Sequence, residues 1–125
     1  MDTRKAPLFN RDDVLRTRIF RPYLAGPTFR LRLYYVGGDR IGYVLTQFDG
    51  NGANGREIFE GADFRPSPLH AIDSDETVRA LMTFLTLRPG DTDAEYFDSY
   101  TPEQRDFAAT HAEALSLYAL EPEAI

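Results

Sequence analysis

The sequence predicts an α+β fold. A small antiparallel β-sheet of three to four strands, built on a central hairpin over residues 28–48, is followed by two main α-helices packed on one of its faces. Three observations carry this. Residues 28–36, TFRLRLYYV, alternate apolar and polar side chains with the period of a strand. Gly37-Gly38-Asp39-Arg40 supplies residues that tolerate positive φ, as a tight hairpin turn requires. Beyond residue 73 the apolar spacing changes from two to the i, i+3, i+4 pattern of helices.

Along the first hairpin strand, Phe29, Leu31, Leu33 and Tyr35 point one way and Arg30, Arg32 and Tyr34 the other. A two-residue turn at Gly38-Asp39 would set Val36 opposite Ile41, Tyr34 opposite Tyr43, Leu33 opposite Val44 and Phe29 opposite Phe48. Val44 and Phe48 then join the core face. Ile41, Tyr43 and Leu45 join the Arg-bearing face, which becomes too apolar for a plain solvated surface. The expectation is that residues 8–24, a second subunit or a ligand covers part of it.

Before the hairpin, Asn10-Arg11-Asp12-Asp13 can cap a short helix reaching about Arg18, with Val14, Leu15 and Ile19 on one side. The spacing Leu15, Thr17, Ile19 suits a strand as well. Arg16, Arg18 and Arg21 read as cations pairing with the acidic C-terminal half. After the hairpin, Asp49-Gly-Asn-Gly-Ala-Asn-Gly55 is a polar turn. It departs from a calcium loop at Ala53 and Asn54, where a fifth ligand and a glycine are needed.

Arg56–Phe59 reads as a third strand and 61–70 as a loop held extended by Pro66 and Pro68. A helix follows from about Asp75 to Leu87. Asp73 and Glu76 form its capping box, and Val78, Leu81, Met82 and Leu85 form its stripe. Residues 91–100 are an acidic, aromatic connector with Tyr96, Phe97 and Tyr100 on one side. The last helix has the fullest set of signals: Thr101 as cap, Pro102 at the first helical position and Gln104 completing the box. Phe107, His111, Leu115 and Tyr118 form its apolar side, and Ala108 and Ala112 allow close packing.

The 125 residues fit one domain: an N-terminal segment (1–27), a sheet region (28–60) and a helical region (73–121). The chain has no cysteine, which excludes disulfides, a thiol nucleophile and Cys-based metal sites. No apolar run approaches a membrane span, and the first residues lack the apolar core of a signal peptide, so a cytoplasmic protein with no membrane partner is expected. The net charge is −6, but it is two-ended. Residues 1–69 hold 11 Lys+Arg against 8 Asp+Glu, while residues 70–125 hold 3 against 12. That acidic half argues against direct nucleic-acid binding.

Catalytic patterns are weak. His70 and His111 are the two histidines, with no nucleophile elbow and no H-E-x-x-H spacing, so no catalytic residue, metal or cofactor is expected. The suggestive constellation is Arg30, Arg32, Tyr34 and Tyr43 on one hairpin face, with Arg40 at the turn. Arg forks and Tyr rings serve as anchors in protein interfaces. The function read from this is a non-catalytic interaction protein acting through that face, self-associating as a homo-oligomer or binding another protein. The alternative is a protein for a phosphorylated small molecule or nucleotide on the same residues. A third reading is a hydrolase built on a carboxylate or His70.

Overall fold

The computed structural model describes residues 9–86 and 101–119, which form four strands and three helices. The strands are β1 (Val14–Phe20), β2 (Thr28–Tyr35), β3 (Ile41–Phe48) and β4 (Arg56–Phe64). The helices are α1 (Asp75–Leu85), α2 (Pro102–Thr110) and α3 (Ala112–Ala119). Consecutive strands pair antiparallel in the order β1-β2-β3-β4, an unbroken meander. The predicted α+β architecture is therefore the observed one. The connector 91–100 lies outside the described residues, as does the side chain of Tyr118. Among the described residues no helix is long and apolar enough to cross a membrane.

The first correction settles residues 10–18 against the capped helix and for the strand, both of which the sequence allowed. They form the edge strand β1 and the segment leading into it. Arg16 pairs with Leu33, Arg18 with Leu31 and Phe20 with Phe29, so these three share the face that the helices cover. A bulge at Leu15 leaves Val14 opposite Tyr34, on the other face. As the end of this strand Phe20 pairs with Phe29 and is completely buried, a tertiary contact that outweighs the polar cap signal upstream.

The second correction is the hairpin register. Val36 leaves the strand, the last pair is Tyr35 with Ile41, and the connection is five residues long. Gly37 and Gly38 take positive φ (109° and 62°), and the Arg40 amide donates to the Gly37 carbonyl at 3.4 Å. An odd-numbered connection in place of an even one shifts pairing by one residue and turns β3 over. Leu33 now faces Tyr43, Arg32 faces Val44, Leu31 faces Leu45 and Arg30 faces Thr46.

With that register the helix-side face carries Phe29, Leu31, Leu33, Ile41, Tyr43 and Leu45, all buried. Val78, Leu81, Met82 and Leu85 of α1, Phe107 of α2 and Leu115 of α3 complete the core. The Phe107 ring meets Phe29 and Phe59 edge-on, with centroids 5.7 and 5.5 Å apart. Each such buried side chain contributes roughly 1.5–3 kcal/mol relative to exposure.

The cap of α1 is Ser74, not Asp73: its hydroxyl accepts from the Thr77 amide at 3.3 Å. Cap and box of α2 are as predicted, with Thr101 and Gln104 bonding reciprocally at 3.1 and 3.0 Å. The predicted last helix is broken at His111, which separates α2 from α3. β4 runs past its predicted end to Phe64, whose ring lies 6.0 Å from Phe84.

Candidate functional site

The far face of the sheet, turned away from the helices, is organised in rows. Arg30 on β2 pairs with Thr46 on β3, and Thr46 pairs with Glu57 on β4. Arg32 pairs with Val44, and Val44 with Glu60. Each row thus reads cation, short residue, carboxylate. Glu57 and Glu60 share this face although they are three apart, because the ladder shifts between Leu45 and Thr46 and leaves Ile58 as an extra residue. The Ile58 carbonyl accepts a hydrogen bond from Gln104 Nε2 at 2.9 Å, which ties the start of α2 to this irregularity.

A short N-terminal strap lies over the rows. The Phe9 ring sits 5.2 Å from that of Tyr34, over Gly42, where a side chain would press on Phe9 and Val36 at 3.0 Å. Two residues on, Arg11 grips both carboxylates. Its guanidinium donates to Glu57 Oε2 at 2.6 Å and Oε1 at 3.0 Å, and also pairs with Glu60. The pairing with Glu57 raises the pKa of Arg11 and, seen from the other side, holds the Glu57 carboxyl below its ordinary value.

Val44 and Thr46 are 4% exposed, and Tyr34 is 3% exposed. The floor of the far face is therefore already covered within the chain, by Phe9 and by the stems of long side chains. Arg30 and Arg32 are different. Among the described residues their Nε donors, like that of Arg11, are buried without a hydrogen-bond partner. Among the described residues neither guanidinium forms an ion pair, whereas Arg11 and Arg16 do. Arg30 packs 5.0 Å over the Phe48 ring. Burial, followed by the charge of Arg32, lowers its pKa, and Tyr34 and Glu57 oppose that shift.

The five residues singled out from sequence thus divide into three places. Arg30, Arg32 and Tyr34 share the far face, with Tyr34 taken up by Phe9. Tyr43 belongs to the opposite face: it is 7% exposed in the core, and its ring fills the space left by Gly61. Arg40 is exposed in the hairpin turn. There it lines an open groove of about 740 Å³ with Phe9, Asn10, Tyr35, Asp39 and Ala62. Phe9 belongs to both groove and strap, so the two are contiguous.

Three participants were missed. Arg11 sits in a segment with no periodicity, and Glu57 and Glu60 lie at a spacing that no regular strand places on one face. A carboxylate pair flanking Ile58 and Phe59 was the available signal, and it needed the bulge to be interpreted. Elsewhere, Asp49 spends its carboxylate within its own turn, accepting from the Asn51 and Ala53 amides and from Asn54, which lowers its pKa. His111 accepts a 2.7 Å hydrogen bond from the Tyr23 hydroxyl when its Nδ1 is unprotonated, and packs against Phe29. His70 is exposed in a loop. No group of three metal-ligating side chains occurs among the described residues. Comparison with protein-family models, with curated proteins and with solved structures finds no match.

Proposed function

We propose that this protein is a non-catalytic binding protein whose far sheet face, through Arg30 and Arg32, receives an acidic surface of a second copy of the chain. The observation that carries this reading is the pair of half-buried guanidinium groups without carboxylate partners among the described residues, on a face whose other cation, Arg11, holds both Glu57 and Glu60. Partly desolvated Arg donors gain most from a carboxylate that arrives with its own geometry, because an unsatisfied buried donor is costly.

The chain supplies that counter-surface itself. Its helical half carries the acidic excess, and Glu103 and Asp106 stand exposed on α2. Contact between unlike surfaces joins copies head to tail, closing into a ring or extending as a chain. Complementary charge of this kind also makes association strongly dependent on salt.

The test is sedimentation velocity at low and high salt on the native chain and on Arg30→Ser/Arg32→Ser. Self-association of the native chain at low salt, lost at high salt and lost in the double variant with an unchanged melting temperature, is the expected result. A native chain that stays monomeric throughout overturns it. The same two arginines can instead hold a phosphorylated small molecule, with Phe48 beside Arg30 as a stacking ring. A monomeric chain whose melting temperature rises with added nucleotide, through Arg30 and Arg32, would replace the first reading by this one.

A further inference from the structure

The two far-face rows have a consequence for how the arginines stay available. Arg30 and Glu57 stand on one row, two strand spacings or about 10 Å apart, with only Thr46 between them. Arg32 and Glu60 stand likewise across Val44. Side chains as long as Arg and Glu can meet over residues that short. In the structure they do not, because both carboxylates turn to Arg11. Arg30 and Glu57 already influence each other's ionisation at this separation.

We infer that the strap is a switch: Arg11, by holding Glu57 and Glu60, keeps Arg30 and Arg32 open to an acidic partner. When the strap lifts, the two carboxylates swing across their rows and close the arginines off from within. The strap is well suited to this. Among the described residues its side-chain anchors on the sheet are the Phe9 contact with Tyr34 and the Arg11 ion pairs. The backbone joins the sheet at Asp13, whose carbonyl accepts from the Tyr35 amide at 3.1 Å, and Glu57 is about half-exposed. Anything that competes for Phe9 or Arg11 would then weaken binding on a surface it never touches. Arg11 acts here as a positioning residue. The inference rests on the proposed function for its biological meaning, but the charge exchange itself is independent of it.

The test combines side-chain nitrogen NMR of the guanidinium groups with sedimentation, on the native chain, Arg11→Ala and Arg11→Ala/Glu57→Gln/Glu60→Gln. In Arg11→Ala the Nε–H signals of Arg30 and Arg32 should shift and gain protection from solvent exchange. In the triple variant they should return to their native positions. Self-association should weaken by about tenfold in Arg11→Ala and recover in the triple variant, the reverse of what simple loss of a cation contact would give. Guanidinium signals of Arg30 and Arg32 that ignore the loss of Arg11 overturn the switch, whatever the native chain does in the centrifuge. Signals that move as expected in a chain that never associates keep the switch and overturn the proposed partner instead.

Discussion

The two faces of this sheet are made by the same four strands and handle charge in opposite ways. On the helix side, Arg16 and Arg18 enter a face that is otherwise apolar: Arg16 finds an acid on α1, and Arg18, like Arg30 on the far side, packs over a ring. Arg16 pairs with Asp75 and donates to the Asp73 carbonyl at 3.1 Å, while Arg18 lies 4.8 Å over the Phe20 ring. On the far side, cations and carboxylates occur in nearly equal number, yet both carboxylates go to one cation. The contrast teaches that a charge beside a core is fixed by the fold, whereas a charge on the open face is distributed by whatever lies over it. The first arrangement serves stability. The second leaves capacity to bind.

The comparison can be broken most forcefully at the core. Phe107→Ala removes the ring on which Phe29 and Phe59 converge and should cost about 3–5 kcal/mol in a chemical-denaturation series. Arg30→Ser/Arg32→Ser should leave the same denaturation midpoint nearly unmoved. Equal losses from both would mean that the far face is structural after all.

A smaller effect is expected at the glycine that makes room for Tyr43. A β-carbon at Gly61 would run into that ring, so Gly61→Val should destabilise by about 1–3 kcal/mol, read as a lowered melting temperature. Its counterpart on the far face, Gly42, lies against Phe9 of the strap and Val36 of the hairpin connection. Comparing Gly61→Val with Gly42→Val therefore separates core packing from strap docking.

The smallest effect concerns His111. Burial keeps its pKa below the ordinary 6.5, against the opposing charge of Asp106. A lowered histidine value means the unfolded chain binds the proton more readily. The stability it confers is complete above 6.5 and declines as pH falls from there toward the lowered folded value. Melting temperatures measured from pH 7.5 to 5.5 should fall in the native chain and fall less in His111→Gln. Parallel slopes in the two proteins would show that this histidine does not sense folding.

Much of the architecture was legible in the residues themselves. The alternation of Phe29, Leu31 and Leu33, the Thr101–Pro102–Gln104 start of α2 and the stripe Val78, Leu81, Met82 and Leu85 are local signals, and local energetics suffices to form them. The register of β3 was not. Four turn residues in a row permit either an even or an odd connection, and the choice rests on whether Ile41, Tyr43 and Leu45 or Val44 and Phe48 reach the helices. That is a tertiary contact, and it moved Tyr43 from the candidate site into the core. The strand character of residues 14–20 was decided in the same way, by the burial of Phe20 and Arg18.

By itself, then, the sequence determined which segments are strands in the hairpin, where α1 and α2 begin, and that charge is divided between the two halves of the chain. Only the tertiary structure decided which side chains share a face. It placed Arg30 and Arg32 in rows with Glu57 and Glu60 and paired both carboxylates with Arg11. The physical reason is that helical stripes and caps are set by neighbours a few residues away. Partners across a sheet are set instead by turn length and bulges, where one extra residue sends every following side chain to the other side.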